Sequence, residues 1–158
     1  MADARFPDVR LRRLRRTQAL RDMVRETRLS AADLIYPVFV EEGIDHPLPV
    51  ASMPGIERIP ECNLGREIEA IARDGVHAVV LFGVSHHKDA VGSDAWRSDG
   101  LVARMTRAAK RAAPELVVIP DLCFCEYTDH GHCGVIHDGH VANDITIENL
   151  GREAIAAV

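Results

Sequence analysis

The sequence is poor in aromatic residues and in lysine. Phe, Trp and Tyr make up 4% of the 158 residues, and only Lys88 and Lys110 among the 19 basic residues are lysines. A hydrophobic core must therefore be built from Val, Ile, Leu and Ala. Chemistry that needs a lysine nucleophile has only two positions to choose from.

Long apolar runs are also absent. No run approaches the ~18 residues that a membrane-spanning helix needs, and the Arg-rich start lacks the apolar centre of a secretory signal. Apolar residues make up 47% of the chain and charged residues 27%, a balance typical of one globular domain rather than a disordered tail. We therefore expect a soluble, cytoplasmic protein that does not bind membranes.

The net charge of −5 conceals a strong asymmetry. Residues 1–28 contain nine arginines against four acidic residues, whereas residues 29–158 contain ten basic residues against twenty acidic ones. Such a basic segment binds nucleic acid, lies on an anionic membrane or docks on the acidic body of another copy. Its only aromatic residue is Phe6, which disfavours nucleic acid. We predict that residues 1–30 form an arm used for self-association, with a merely solvated basic helix as the alternative.

Three apolar segments alternate with three helical patterns in the rest of the chain. Fully apolar strands that alternate with helices form parallel βαβ units, so the predicted fold class is α/β. Neither G-x-G-x-x-G nor a P-loop motif follows a strand, which favours a (β/α)₈ TIM barrel over a nucleotide-binding open sheet. The predicted strands cover residues 34–40, 77–84 and 116–119, and the predicted helices cover residues 64–72, 100–112 and 146–158.

Local signals place the ends and faces of these elements. Asn63 is the predicted N-cap of the first helix and Gly75 its stop. Pro37 weakens the first strand, because a central strand needs every backbone N–H, and residues 41–63 are predicted to be a loop. Thr146 is the predicted cap of the last helix. The predicted apolar face of that helix consists of Ile147, Leu150, Ala154, Ile155 and Val158.

Three of the four cysteines lie in one polar segment after the third strand, with the spacing C-x-C-x₇-C. These are Cys123, Cys125 and Cys133. In a chain without a secretory signal, clustered Cys and His indicate a metal site more often than a disulfide, although inert core thiols and a redox pair are alternatives. Thiolates and imidazoles select zinc, and three ligands leave a position open, as in catalytic zinc sites. His132 or His130 is a candidate for a further ligand.

Other residues near the strand ends carry weaker signals. Cys62 is predicted to be a free thiol in a loop, and His86 and His87 are predicted to be loop histidines after the second strand. Asp138-Gly139 between short apolar arms predicts a hairpin. A hairpin between a strand and its helix is a natural lid for a barrel, so residues 121–143 are predicted to combine a metal-binding loop with a lid.

The cysteine segment Asp121–Gly134 resembles that of porphobilinogen synthase (5-aminolevulinate dehydratase) of the zinc-dependent, cysteine-rich type. The resemblance extends over nearly the whole chain. It is also carried by residues 34–40 with Pro37, Ser52-Met53-Pro54-Gly55, Lys88-Asp89, Gly92-Ser93 and Asn143-Asp144.

The resemblance implies a (β/α)₈ barrel of roughly twice this length, of which residues 31–158 are the first half. It implies an enzyme that condenses two 5-aminolevulinate molecules to porphobilinogen in haem and other tetrapyrrole synthesis. It also implies an arm that wraps a neighbouring subunit, in dimers that build a homo-octamer. Cys123, Cys125 and Cys133 match the zinc ligands, Asp121 an active-site carboxylate and His132 a histidine of an auxiliary metal position.

The main departure from the family concerns lysine. Members bind substrate as Schiff bases on two lysines of later strands, which lie beyond Val158, whereas Lys88 is predicted in a loop and Lys110 on a helix. The chain alone is therefore predicted to be an inactive fragment. The alternative function is a small zinc-binding interaction domain whose basic arm recruits an acidic partner or nucleic acid.

Overall fold

The structure, a computed structural model, describes Arg5, Pro7 and residues 12–158, so the arm residue Phe6 lies outside the described residues. The chain divides into two units, Met1–Ser30 and Ala31–Val158. In the first unit, a 3₁₀ turn at Arg13–Arg15 precedes helix α1, Gln18–Met23. The hydroxyl of Thr17 caps α1 by accepting a hydrogen bond from the backbone N of Leu20 at 3.2 Å. None of the described residues of this unit is buried, so they form no hydrophobic core.

The second unit contains one main sheet, three helices and a small hairpin. A 3₁₀ turn, Glu61–Asn63, precedes the first of these helices, and others cover Ala31–Asp33, Ser93–Trp96 and Phe124–Glu126. The strands are β1 (Ile35–Glu41), β2 (Leu48–Pro49), β3 (Glu57–Pro60), β4 (Ala78–Val84), β5 (Val117–Pro120), β6 (Ile136–His137) and β7 (His140–Val141). The helices are α2 (Leu64–Arg73), α3 (Leu101–Ala112) and α4 (Asn143–Ala156).

The main sheet has the strand order β2-β3-β1-β4-β5, and all of its pairs are parallel except β2 with β3. The three predicted strands correspond to β1 and β4 in the interior of the sheet and to β5 at its edge. The predicted α/β class with a parallel sheet is therefore confirmed, and the arrangement is consistent with part of a (β/α)₈ barrel.

The prediction that residues 41–63 form a loop throughout is wrong, because this segment contains β2 and β3. Strand β3 pairs with β1 only at Phe39–Glu41. At Pro37, among the described strands, β1 therefore has a neighbour on one side only, where Pro37 lies opposite Val80 of β4. A proline fits there because a ladder with one open side does not need every N–H.

The hydrophobic core lies between the sheet and helices α2 and α3. Alternate residues of β1 and β4, among them Val40 and Leu81, point to this side and are fully buried, as are Ile68 and Met105 of the helices. Each such side chain stabilises the fold by roughly 1.5–3 kcal/mol. The opposite face of the sheet is less covered, as the exposed side chain of Val117 on β5 illustrates.

Both predicted end residues of α2 are confirmed in position. Gly75, at φ +84°, adopts the left-handed conformation that ends a helix. Asn63 occupies the N-cap position of α2, as predicted, but its helical dihedral angles of φ −87° and ψ −14° leave its side chain without a capping hydrogen bond. An N-cap side chain requires an extended backbone to reach the free N–H groups of the first turn.

The predicted cap and apolar face of the last helix are wrong. Helix α4 begins at Asn143, and Thr146 lies within it, where its hydroxyl donates to the backbone O of Ala142 at 2.8 Å. Ile147, Ile155 and Val158 are exposed, while Leu150 and Ala154 are half-buried. The buried residues of α4 are instead Thr146, Asn149 and Glu153. The periodicity of apolar residues identifies an apolar stripe on a helix, but it does not show whether another element covers that stripe. In the described part of the chain, no helix is both long and apolar enough to cross a membrane.

Candidate metal centre

The segment Asp121–Gly134, here called the cysteine loop, is anchored at the end of β5. The backbone N of Asp121 donates to the carbonyl of Leu81 at 2.9 Å, which extends the pairing of β5 with β4 by one residue. Two aromatic residues then fix the loop to the core, since Phe124 is 1% exposed and Tyr127 is 2% exposed. Such burial of large apolar side chains holds a loop in one conformation.

Gly83 of β4 makes room for this anchor. A Cβ atom at residue 83 would lie 2.6 Å from the Tyr127 hydroxyl oxygen and 3.0 Å from the Cε atom of Met105. Only glycine therefore allows Tyr127 to pack against the strand. Gly83 was not predicted to have this role, although a glycine inside an apolar strand is itself a sign of a close approach.

The cysteine loop brings three thiols together. The Sγ atom of Cys123 lies 3.3 Å from that of Cys125 and 3.0 Å from that of Cys133. All three Sγ atoms lie within 4.8 Å of one another, and they are the only group of three or more His, Cys, Asp or Glu ligand atoms in the described residues that could hold a metal ion. Cys62 is an exposed free thiol elsewhere in the fold, as predicted.

The thiols have the electrostatics of a cation site. Burial raises the pKa of Cys123 to about 12, and the hydrogen-bonded thiols of Cys133 and Cys125 add to the increase. Burial also raises the pKa of Cys125. The backbone N–H of Cys125 partly offsets the increase at Cys123. No basic side chain lowers the pKa of either thiol. Converging soft donors without a counter-charge fit a soft or borderline divalent metal ion.

The two histidines of the loop differ in their hydrogen bonds. His130 uses both ring nitrogens, since Nε2 lies 3.2 Å from the carbonyl O of Ala90 and Nδ1 accepts from the backbone N of His132 at 3.1 Å. Neither ring nitrogen of His132 bonds to another described residue. The His132 ring is exposed and is not part of the three-thiol group, so its predicted role in an auxiliary metal position stays a prediction.

A buried carboxyl group lies in electrostatic reach of this site. Asp121 is half-buried, and burial raises its pKa. Glu153 of α4 is 0% exposed, and neither of its carboxyl oxygens has a hydrogen-bond partner among the described residues. Burial, followed by the charge of Asp121, raises the pKa of Glu153 to about 8. Glu153 was not predicted as a site residue, because its spacing from Asn149 places it on the polar face of α4.

A second group of polar residues lies at the ends of β1 and β3, and we call it the charged rim. It consists of Glu41, Glu42, Arg58, Glu61, His86 and Arg104. Its carboxylates are matched by cations. Arg58 pairs with Glu41 at 2.8 Å, and Arg104 pairs with Glu42 at 2.7 Å and with Glu61 at 2.8 Å. His86, with Nε2 3.1 Å from a Glu41 oxygen, and the exposed His87 lie after β4.

The two lysines do not take part in the site. The Nζ of Lys110 on α3 donates to the carbonyls of Pro114 and Leu116, the latter at 3.0 Å, which satisfies acceptors beyond the helix end. Lys88 is exposed in the loop after β4. Neither is desolvated, as a lysine nucleophile of lowered pKa has to be.

The predicted hairpin after the cysteine loop is confirmed. Strands β6 and β7 pair antiparallel, with His137 opposite His140. Asp138 and Gly139 between them have φ values of 49° and 76°, which is the backbone of a two-residue type I′ turn. Gly134, at the start of the hairpin, would place a Cβ 3.0 Å from the Thr146 hydroxyl, so the hairpin packs closely on α4.

Comparisons with known proteins agree on one family. A family model described as delta-aminolevulinic acid dehydratase matches residues 8–158. The chain is 58% identical over 148 residues to delta-aminolevulinic acid dehydratase of Escherichia coli (strain K12), which covers 94% of this chain and 46% of that relative. It is 47% identical to the protein of the same name from Halalkalibacterium halodurans, over 93% of this chain and 45% of that relative.

A solved structure has the same fold. It is delta-aminolevulinic acid dehydratase (porphobilinogen synthase) from Toxoplasma gondii ME49 in complex with the reaction product porphobilinogen. The similarity has a TM-score of 0.85 at 32% sequence identity and covers 94% of this chain and 43% of that one. The chain therefore spans about half the length of these relatives.

Proposed function

The chain belongs to the delta-aminolevulinic acid dehydratase family, and we propose that it forms the N-terminal half of a porphobilinogen synthase. That enzyme is a lyase that condenses two 5-aminolevulinate molecules to one porphobilinogen and two waters, an early step of haem and other tetrapyrrole synthesis. The observation that carries the proposal is the convergence of the Cys123, Cys125 and Cys133 Sγ atoms within 4.8 Å at the end of a parallel strand. That end of the strands is where α/β barrels carry out their chemistry.

We propose that the metal is zinc, held by these three thiolates. Zinc suits sulfur donors, and three protein ligands leave one position for substrate, as in catalytic sites. When bound, zinc supplies a Lewis acid that polarises and positions a carbonyl substrate. His132, whose ring nitrogens make no hydrogen bond with a described residue, is our candidate for an auxiliary metal position.

Among this chain's own residues, we assign the active-site carboxylate to Asp121. It follows β5 directly and precedes the first zinc ligand by two residues. A carboxylate there lies within the site and can accept or return a proton as two substrates condense. The hairpin at residues 136–141 follows the same loop, and we propose that residues 121–143 together form the metal-binding loop and a lid that limits access of water.

We propose that residues 1–30 are an arm that contacts a neighbouring subunit in a homo-octamer, as the family resemblance implies, and that the protein is cytoplasmic. The described part of the arm buries no residue, and residues 1–28 carry nine arginines against an acidic body. A segment of this kind gains stability from contact with acidic surface rather than from a core of its own.

The metal assignment is tested by measuring zinc in purified protein. The C123S/C125S/C133S variant is expected to retain less than a tenth of the zinc of the wild type, because hydroxyl groups bind zinc far more weakly than thiolates. C62S is the matched control and is expected to keep all of it. Unchanged zinc in a folded triple variant would overturn the proposal.

The activity is tested with the missing half supplied. The chain with 5-aminolevulinate and zinc is expected to form no porphobilinogen, since neither Lys88 nor Lys110 occupies a buried strand end. Co-expression with the C-terminal half of the Escherichia coli relative is expected to restore product, and the triple cysteine variant is expected to abolish it. Product formed by the chain alone would contradict the assignment of the Schiff-base step to the other half. Binding of nonspecific DNA at moderate salt would instead favour an interaction domain.

A further inference from the structure

Helix α3 concentrates positive charge on an acidic body. It contains four basic residues and no acidic one, although residues 29–158 as a whole carry twenty acidic residues against ten basic ones. Arg104, Arg107 and Arg111 are spaced by three and four positions and therefore share one face of the helix. Together with Glu61 and Cys62 they line an open groove of about 590 Å³, within the size range of small-molecule sites.

Two of these cations have no carboxylate partner in the described structure. Arg104 is neutralised by Glu42 and Glu61, in ion pairs of 2.7 and 2.8 Å. Arg107 donates one hydrogen bond, at 2.9 Å, to the backbone carbonyl of Ser98. Arg111 makes no hydrogen bond or ion pair with a described residue. The groove therefore presents two guanidinium groups whose charge the fold does not compensate.

This arrangement is unfavourable for the helix by itself. Arg107 and Arg111 are four residues apart, and like charges at that spacing repel each other. The negative end of the helix dipole favours Arg111 in the last turn but contributes nothing to Arg107, more than a turn further in. A bound anion between the two side chains would remove the repulsion.

We propose that the groove is a binding site for a small molecule that carries phosphate groups, with Arg107 and Arg111 as its ligands. A guanidinium group pairs with phosphate through two parallel hydrogen bonds, which a point charge does not do. Side chains at this spacing have Cβ atoms roughly 5–6 Å apart, a separation that a diphosphate bridges. Arg104, fixed by Glu61, forms a wall of the groove. None of the lining residues belongs to the cysteine loop, and 5-aminolevulinate carries no phosphate, so the site is separate from the proposed reaction.

The test is calorimetric titration of the chain with sodium pyrophosphate at constant ionic strength. The protein is kept metal-free with EDTA so that the probe does not bind zinc. One pyrophosphate per chain is expected to bind, and R107A/R111A is expected to weaken the affinity at least tenfold. R66A/R73A, which removes two exposed arginines of α2 outside the groove, is the matched control and is expected to change the affinity less than twofold.

Two further titrations identify the chemical class of the ligand. R107K/R111K keeps the charges but removes the paired donors, and it is expected to bind three- to tenfold more weakly than the wild type. Citrate, a carboxylate anion of comparable charge, is expected to bind at least tenfold more weakly than pyrophosphate. Circular dichroism of each variant establishes that it is folded.

Four results would overturn the proposal. They are the absence of pyrophosphate binding by the wild type, unchanged binding by R107A/R111A, an equal loss in the α2 control, and citrate binding as tight as that of pyrophosphate. The proposal is independent of the porphobilinogen synthase assignment, since zinc loading through the cysteines is unaffected by either outcome.

Discussion

The charged rim and the cysteine loop both lie at the carboxyl ends of parallel strands of the main sheet, yet their electrostatics differ. In the charged rim, Glu41 and Glu42 face Arg58 and Arg104 at 2.8 and 2.7 Å. Around the cysteine loop, no basic side chain accounts for any of the pKa changes of Cys123, Cys125 or Glu153, which are all increases. The first region is electrostatically complete within the chain, whereas the second requires a cation or a proton from outside it.

This difference indicates that the two regions have different roles, one in stabilising the fold and one in the proposed chemistry. Buried carboxylates that find arginine partners fix β3 and α3 against the end of β1. Thiols and carboxyls without such partners are costly to ionise, and proteins keep such groups where a metal ion or a reaction uses them. The contrast thus assigns the scaffold to the charged rim and the proposed chemistry to the cysteine loop.

The largest expected effect concerns Glu153. Its pKa is raised from 4.5 to about 8, so the folded chain holds a proton that the unfolded chain releases. The contribution of Glu153 to stability is therefore most favourable below about pH 5, and it falls between about pH 5 and 8 by up to about 1.4 kcal/mol per pH unit. E153Q removes the titration and is expected to exceed the wild type in free energy of unfolding by about 4 kcal/mol at pH 8.

Urea unfolding at several pH values measures this difference. E148Q is the control, because Glu148 lies exposed on the same helix and pairs with Arg152 on the surface. It is expected to leave the pH dependence unchanged. If E153Q and the wild type lose stability in parallel as the pH rises, Glu153 is not the uncompensated group and the contrast between the two regions fails on that side.

The next effect concerns the charged rim. R104A leaves the carboxylates of Glu42 and Glu61 without their cation, and we expect the free energy of unfolding to fall by about 2 kcal/mol at pH 7, between the values for surface and buried pairs. R97A, which breaks an exposed ion pair with Asp99, is the control and is expected to leave the free energy of unfolding nearly unchanged. Equal losses in the two variants would show that the charged rim is not a buried network.

R104A also tests a pH dependence of the free energy of unfolding that is opposite in sign to that caused by Glu153. Burial works against ionisation of Glu42, but the hydrogen bonds from Arg104 and the His86 backbone lower its pKa below 4.5 overall. The stability this carboxylate contributes is present above its unfolded pKa and is lost as the pH falls through the lower folded value. R104A is expected to shrink this acid-side loss, which comparison of wild type and variant between pH 3 and 6 measures.

The smallest effect tests how much of the region beside the cysteine loop depends on backbone rather than charge. Gly139 has φ +76° and no heavy atom within 4 Å of an added Cβ, so G139A is expected to cost about 1 kcal/mol from backbone strain alone. G151A, in open space within α4, is expected to stabilise the chain by roughly 0.5–1 kcal/mol. Thermal unfolding measures both, and a gain of stability in G139A would argue against the type I′ turn.

Features set by short stretches of sequence were predicted. The three strands, the hairpin at Asp138-Gly139 and the stop at Gly75 follow from local apolar runs and from the freedom of glycine at positive φ. The grouping of the three cysteines was also predicted, since their spacing and their place after a strand limit where the thiols can lie. That zinc occupies the group and that Asp121 and His132 serve it remain predictions.

Features set by distant parts of the chain were not predicted. Strand β3 exists because β1 offers it an edge, and Arg58 reaches Glu41 only through that pairing. Asn63 carries the residue type of a cap, but the preceding 3₁₀ turn decides its dihedral angles. The sequence pattern predicts Glu153 to be a surface residue, but the packing of α4 buries it.

The amino-acid sequence by itself determined the α/β class, the order of the main elements and a sulfur-rich loop at a strand end, because apolar periodicity, turn residues and ligand spacing act over a few residues. Only the tertiary structure decided which face of α4 is buried, which charges are neutralised and which arginines of α3 remain unmatched. Those properties depend on distances between residues far apart in the chain, where burial and Coulomb interaction change steeply over a few ångströms.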